Sequence, residues 1–340
     1  MKNIRIIYLL FLLVLLAPAA RAGDKKAMAA SYQFCLALKQ DGSLWAFGRN
    51  DHGQLGDGTK QYRSEPVKVL DHVRQMSAGH SFSMALLEDG TLWTWGRNSA
   101  GQLGDGTTLD CLRPQKIMDG ISSIDAGSNH AVAVGNDGTL WVWGKNGSGE
   151  VDGSAVDRNV PVRVMTGVRQ ASAGFRWTAA VKADGSLWVW GDDVSGYTAK
   201  VFLGSPVKML DGVRQVSGGY SHNLAVMADG RLMAWGENRY GQLGTGTTDW
   251  QNTPVKIMDG VDEACAGWCY SLVRRNDGSL WGWGRNDDGQ LGIGNRDDQL
   301  RPVRIAAAVG AFAAGRGVSL WITPAGELKI TGTIDYFESY

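Results

Sequence analysis

Residues 89–107 read DGTLWTWGRNSAGQLGDGT. An Asp-Gly pair stands between two apolar alternating runs, a strong hairpin signal because glycine accepts the positive φ of a tight turn. Nearly the same phrase returns at 41–59 (DGSLWAFGRNDHGQLGDGT) and 277–295 (DGSLWGWGRNDDGQLGIGN). Weaker copies start at Asp137, Asp184 and Asp229, and a faded one at Ala325. The turn glycines fall at 42, 90, 138, 185, 230, 278 and 326, a spacing of 45 to 48 residues. A fixed period of that size marks one supersecondary unit repeated, each copy burying its apolar face on the next.

One unit reads as four short strands. In the second copy these are Val73–Ala78, Phe82–Leu87, Thr91–Trp95 and Pro114–Met118. Four-stranded units without helix signals predict an all-β, seven-bladed β-propeller of four-stranded antiparallel blades. Outer strands led by proline are expected from Pro66, Pro114, Pro161, Pro206, Pro254 and Pro302. The seventh unit lacks one, so 333–340 supplies it or that blade has three strands. Ten of the fourteen tryptophans lie in the third strand, in pairs such as Trp93 and Trp95, and are expected inside as inter-blade core. The glycine-rich loop has no following helix and so does not fit a phosphate cradle. Its leucines (Leu55, Leu103, Leu243, Leu291) are expected to pin it to the core. After Gly144 (KNGSGEVDGSAV) and Gly191 (DDVSGYTAKVFLG) the Gln-Leu-Gly phrase is lost, and an irregular surface is expected.

Residues 1–22 have a basic start (Lys2, Arg5), an apolar run over 6–17 and an Ala20-Arg21-Ala22 cleavage pattern, and are expected to be a signal peptide. The remaining 23–340 is expected to form one propeller domain, secreted or held in the periplasm or cell envelope, without membrane insertion after cleavage. The whole chain carries 34 basic and 34 acidic residues, and loss of the leader leaves it three charges negative. That gives no footprint for nucleic acid. Of the four cysteines, Cys265 and Cys269 flank a turn and could pair; buried thiols are an equal alternative.

The stretches AGHSFSMALLEDGTLWTWGRNSAGQLGDGT (78–107) and GGYSHNLAVMADGRLMAWGENRYGQLGTGT (218–247) closely resemble the regulator of chromosome condensation repeat, over about 27–332. The resemblance implies the propeller and a secreted, bacterial-type member; it implies function only weakly, because function sits in sites grafted on a fold. The eukaryotic namesake is an exchange factor for a small GTPase, and that activity is ascribed to acidic turn residues and an inserted wedge. Here the turns between first and second strands carry Tyr32-Gln33, His80-Ser81, Ser128-Asn129, Phe175-Arg176, Tyr220-Ser221, Trp268-Cys269 and Arg316-Gly317, without an Asp or Glu. A secreted bacterial member is similar in architecture, inhibits β-lactamases and grips them with aromatic residues of the corresponding turns.

Those turns are the candidate site. A closed ring brings them to one face, and Tyr, Trp and Arg dominate binding hot spots. The candidate binding residues are Tyr32, His80, Phe175, Arg176, Tyr220, Trp268 and Arg316; the alternative is that some merely cap the ring. Two positions on, His130 and His222 align with plain aromatics and are expected to be core, so no metal site is expected. No catalytic motif, catalytic residue or cofactor site is found. The expected function is non-catalytic protein binding by a monomer. A carbohydrate-binding propeller is the alternative, and nucleotide exchange a weaker one.

Overall fold

The computed structural model describes residues 28–31, 33–191 and 203–333, which form seven antiparallel sheets and no helix. Six sheets have four strands: blade one spans 28–70, two 73–118, three 121–165, four 168–210, five 213–258 and six 261–306. Blade seven (312–332) has three among the described residues. The expected leader, the tail 334–340, Tyr32 and the loop 192–202 lie outside the described residues.

Within each blade the strands follow chain order from the channel outward. Each innermost strand touches the next, and Met28–Ala30 lies against both Val73–Ala78 and Phe312–Ala314, which closes the ring. The closing seam is apolar: Met28, Phe34 and Leu36 share a cluster with Ala313, Val318, Leu320 and Leu328.

Every outer strand begins three residues ahead of its proline, as in Arg63–Leu70 and Cys111–Met118. The register slips there, between Ala46 opposite Val67 and Gly48 opposite Arg63. Pro66 thus sits at a bulge on an edge strand, where a missing N–H interrupts no ladder.

The tryptophan pairs divide. Trp95, Trp143, Trp190, Trp235 and Trp283 are fully buried. Each ring buries on the order of 200 Å², about 5 kcal/mol as an upper bound. The other five are only half-buried, so the expectation that all ten are core is corrected. Four of these indoles, all but Trp141, serve the Asp-Gly turns. Trp45 Nε1 donates to Ser43 Oγ at 2.9 Å, and the Ser43 amide and hydroxyl donate to Asp41 Oδ1 at 2.9 and 2.6 Å. Trp93, Trp188 and Trp281 repeat the arrangement. The alternation was read correctly, but Nε1 needs an acceptor and the turn supplies one.

Four of the five buried indoles clip their blade to the preceding one, Trp190 through Val151 O at 3.2 Å; Trp235 Nε1 has no partner among the described residues. Trp95 Nε1 donates to Gln54 O at 2.9 Å, Trp143 to Gln102 O at 3.0 Å and Trp283 to Gln242 O at 2.9 Å. The acceptors lie in the glycine-rich loops, whose leucines are fully buried as expected. The hub of each loop is its asparagine. Asn98 Oδ1 accepts from Leu103 N at 2.9 Å, and its Nδ2 donates to Asp105 Oδ1 and Thr107 O at 3.0 and 3.1 Å. Gly96 ends the third strand at φ +103°, where a Cβ would stand 2.7 Å from Ser81 O, so only glycine fits.

The loop after Gly144 is regular, contrary to expectation. Asn146 keeps the hub role, Val151 takes the leucine place with no exposure, and Glu150 stands where other blades have glutamine. One deleted residue hid this pattern in the sequence. The loop after Gly191 falls in 192–202, outside the described residues.

Candidate functional site

The turns between first and second strands gather around one mouth of the channel, as the ring requires. Backbone bonds stitch them together: His80 N donates to Ser128 O at 3.1 Å, Ser128 N to Gly174 O at 3.2 Å and Trp268 N to Gly315 O at 3.1 Å. Across blades two to four and six to seven the rim turns are therefore joined rather than separate loops. Beneath the turns of blades two to six a glycine carries the ring that opens the second strand. A Cβ on Gly79 would meet Phe82 at 2.0 Å, and one on Gly174 would meet Trp177 at 2.1 Å.

Of the seven candidate residues, Tyr32 lies outside the described residues, His80, Phe175, Tyr220, Trp268 and Arg316 line the mouth, and Arg176 stands exposed beside Phe175. Phe175, Tyr220, Trp268 and Arg316 form an unbroken arc across blades four to seven. The Phe175 and Tyr220 centroids are 4.1 Å apart, and Tyr220 meets Trp268 edge-on at 5.1 Å. The Arg316 guanidinium lies 3.8 Å above the Trp268 ring, and that of exposed Arg176 is 5.0 Å from Phe175. The arc residues are half-buried, mostly against each other, and half open to the cavity. His80 stands across the mouth. Burial holds its imidazole below the usual range, with Arg97, Arg49 and Arg316 adding repulsion.

The mouth opens into a channel cavity of about 620 Å³. Its wall is polar, which the sequence reading missed. Gln75 Nε2 donates to Ile124 O at 2.9 Å, Gln170 Nε2 to Val216 O at 3.0 Å and Gln215 Nε2 to Ala264 O at 3.0 Å. Asp125 accepts from Ser77 Oγ and Ser172 Oγ, both at 2.9 Å, and so ties blades two and four through blade three. The signal was legible as the recurring Arg-Gln-x-Ser at 74–77, 169–172 and 214–217. Also missed was an outer extension of the arc. Arg285 stands 5.7 Å from both the Trp268 and Tyr240 rings. Tyr240 occupies a loop position held by His52, Ala100, Ser148 and Asp288 in other copies, and that variation was the available sign.

His130 and His222 are core, as expected. Each is fully buried, and its Nε2 meets a hydroxyl of the next blade: Thr178 Oγ1 at 3.0 Å, Ser271 Oγ at 2.9 Å. Burial lowers their pKa values to about 4 and about 3, so both imidazoles are neutral. Among the described residues no group of three or more His, Cys, Asp or Glu is placed to hold a metal. Cys265 and Cys269 are separate thiols, not a disulfide. Cys265 packs toward blade seven with the Tyr270 cluster, whereas Cys269 lies within the field of Glu237 and Arg285, so the two diverge.

Among solved structures the chain is similar to human WBSCR16, with 24% identity, TM-score 0.75, and coverage of 85% of this chain and 84% of that one. Prp20 of Saccharomyces cerevisiae gives 20% identity and TM-score 0.76 over 90% of this chain and 81% of that one. The CRINKLY WD40 ectodomain of the Arabidopsis thaliana receptor kinase ACR4 gives 17% and 0.57 over 90% and 95%. At these identities the likeness speaks for the fold alone. No curated protein matches the chain. The model of the RCC1-like domain matches residues 14–321, nearly the whole chain, and with its seven blades the chain belongs to the RCC1-like domain family.

Proposed function

We propose that this is an exported, non-catalytic, monomeric propeller that binds a protein partner at the rim of its channel. The observation that carries the reading is the continuous arc of Phe175, Tyr220, Trp268 and Arg316. Three rings and a guanidinium packed on one another lose little freedom on binding, which is what makes such residues hot spots. A scaffold whose repeated residues serve the core, with varied aromatics on one rim, fits an interaction module. Family membership agrees with that role, and yeast Prp20 was crystallised bound to Kap60. Export rests on the basic, apolar and Ala-Arg-Ala segments of residues 1–22. The rim turns carry no carboxylate of the kind ascribed to exchange activity.

The test is affinity capture with the chain from residue 23, from culture supernatant and envelope extract. A variant combining Phe175→Ala, Tyr220→Ala and Trp268→Ala should weaken any captured partner by about 100-fold or more, since hot-spot truncations cost roughly 2 kcal/mol or more each. Its melting temperature should stay close to the parent's. A collapse in stability with no separate effect on binding would make the rings a cap. A glycan array checks the sugar-binding alternative, and nucleotide release from a Ran-type GTPase checks exchange.

A further inference from the structure

Of the five hub asparagines, four precede a residue that carries a side chain: Asn50-Asp51, Asn98-Ser99, Asn238-Arg239 and Asn286-Asp287. The fifth precedes glycine, as Asn146-Gly147. Glycine has no Cβ to shield its amide and bends freely, so its nitrogen can approach the carboxamide carbon of the asparagine before it. The fold holds that carboxamide still. Asn146 is fully buried, whereas Gly147 is exposed. Asn146 Oδ1 accepts from Val151 N at 2.8 Å. Its Nδ2 donates to Asp152 Oδ1 at 2.6 Å, Ser154 Oγ at 2.9 Å and Val156 O at 3.1 Å. The loop built on this hub also carries the acceptors that fasten blade four. Trp190 Nε1 donates to Val151 O at 3.2 Å, and Thr178 Oγ1 to Glu150 O at 2.7 Å.

We propose that Asn146-Gly147 is a site of spontaneous deamidation, which the closed loop keeps silent and an opened loop releases. Once the bonds to Nδ2 are broken, the Gly147 nitrogen attacks Asn146 Cγ. The N–Cγ bond forms, the Cγ–Nδ2 bond breaks, and ammonia leaves with the proton of the Gly147 amide. Water then opens the succinimide at either carbonyl and gives aspartate or isoaspartate. Neither product rebuilds the hub. An aspartate carboxylate at 146 stands where Nδ2 donated, against Asp152 Oδ1, and Asp157 already sits 2.8 Å from the backbone amide of the same residue. Like charges that close, with three acceptors left without a donor, are costly in a buried site. Isoaspartate also lengthens the backbone by one carbon. The conversion is one-way, so each opening of this loop can loosen the junction of blades three and four for good, in the blade whose turn carries Phe175.

The experiment incubates the protein at neutral pH, folded or in urea, and reads acid and isoaspartate at position 146 by peptide mass spectrometry. Conversion should be about 30-fold or more slower in the folded protein, the leverage of four hydrogen bonds at the weak end of their usual worth. Gly147→Ala should suppress conversion in urea and leave the fold intact, because Gly147 is not at positive φ and a Cβ there meets only Lys145 Cε, at 3.9 Å. Parent converted in urea and then refolded should unfold at a lower urea concentration than Gly147→Ala taken through the same treatment. Asn146→Asp should show the same loss without any incubation, and adding Asp152→Asn should restore part of it by returning a donor to the pair. Equal conversion in folded and unfolded protein, or none in urea, overturns the proposal. So does an Asn146→Asp protein as stable as the parent, or one that Asp152→Asn does not improve.

Discussion

Glu150 offers a quantitative test of the loop architecture. It stands where Gln54, Gln102, Gln242 and Gln290 stand in other blades, with 1% of its surface exposed. Its Oε2 accepts from Ser148 N at 2.7 Å, as the glutamine Oε1 atoms accept from His52, Ala100, Tyr240 and Asp288 amides at 2.8–3.1 Å. Burial raises its pKa from 4.5 to about 7, with nearby Asp157 adding to the rise. The folded state therefore holds a proton that the unfolded chain has released. Below pH 4.5 both states are protonated and the site costs nothing. Between pH 4.5 and 7 stability falls as pH rises. Above pH 7 the loss is complete, about 3 kcal/mol at 1.36 kcal/mol per unit. Glu150→Gln removes this loss but adds an amide nitrogen. Gln242 Nε2 and Gln290 Nε2 are buried without a partner, and such a group costs roughly 1–2 kcal/mol at every pH. The variant should thus be slightly less stable than the parent at pH 4 and more stable, by about 1–2 kcal/mol, at pH 8. Urea and thermal unfolding of both proteins from pH 4 to 8 measures the difference, in which all other titrating groups cancel. The expected swing in relative melting temperature is roughly 5 °C for a chain of this size. A difference that stays flat across that range refutes a buried, proton-holding Glu150.

Gly96→Ala forces a Cβ to 2.7 Å from Ser81 O at φ +103° and should cost about 3 kcal/mol or more, read as a lowered urea midpoint. Trp143→Phe removes the indole bond to Gln102 O and leaves a gap between blades two and three; about 2–3 kcal/mol of destabilisation with unchanged rim binding is expected. Alkylation of the unreduced, denatured protein should modify four thiols, and a mass two daltons short with only two thiols labelled would show that Cys265 and Cys269 pair after all.

The blade count, the hairpins and the buried leucines were legible because each rests on a local rule that recurs from copy to copy. Period, Asp-Gly turns and alternation are all properties of neighbouring residues. What escaped depends on partners in other blades. The half-exposure of Trp45 and its equivalents follows from an indole seeking the turn hydroxyl. The regularity of the Glu150 loop was masked by a single deletion. The Gln and Ser ladder along the channel was visible as a recurring phrase, but its meaning needs the inter-blade distance that only the closed ring supplies. The rim candidates came from variation in one column, and five of the six described ones join in direct ring or cation contacts, with His80 across the mouth. Arg97, Arg285 and Tyr240 belong to a different loop, brought beside the rim by backbone pairs such as Arg97 N to Ser81 O.

The seam between blades seven and one differs from the junctions fastened by indoles. At the equivalent third-strand position blade one has Phe47, which has no N–H to give, and the described contacts there are aliphatic and aromatic packing. In the hoop of seven blades this seam is a buckle held by packing, as is the junction of blades four and five at Trp235, and amides of Met28–Ala30 should be among the first to exchange. Arg316 and Arg97 lie on opposite sides of that buckle. Whatever spans them from outside would hold it shut, so occupancy of the mouth and the lifetime of the closed hoop are coupled by mass action.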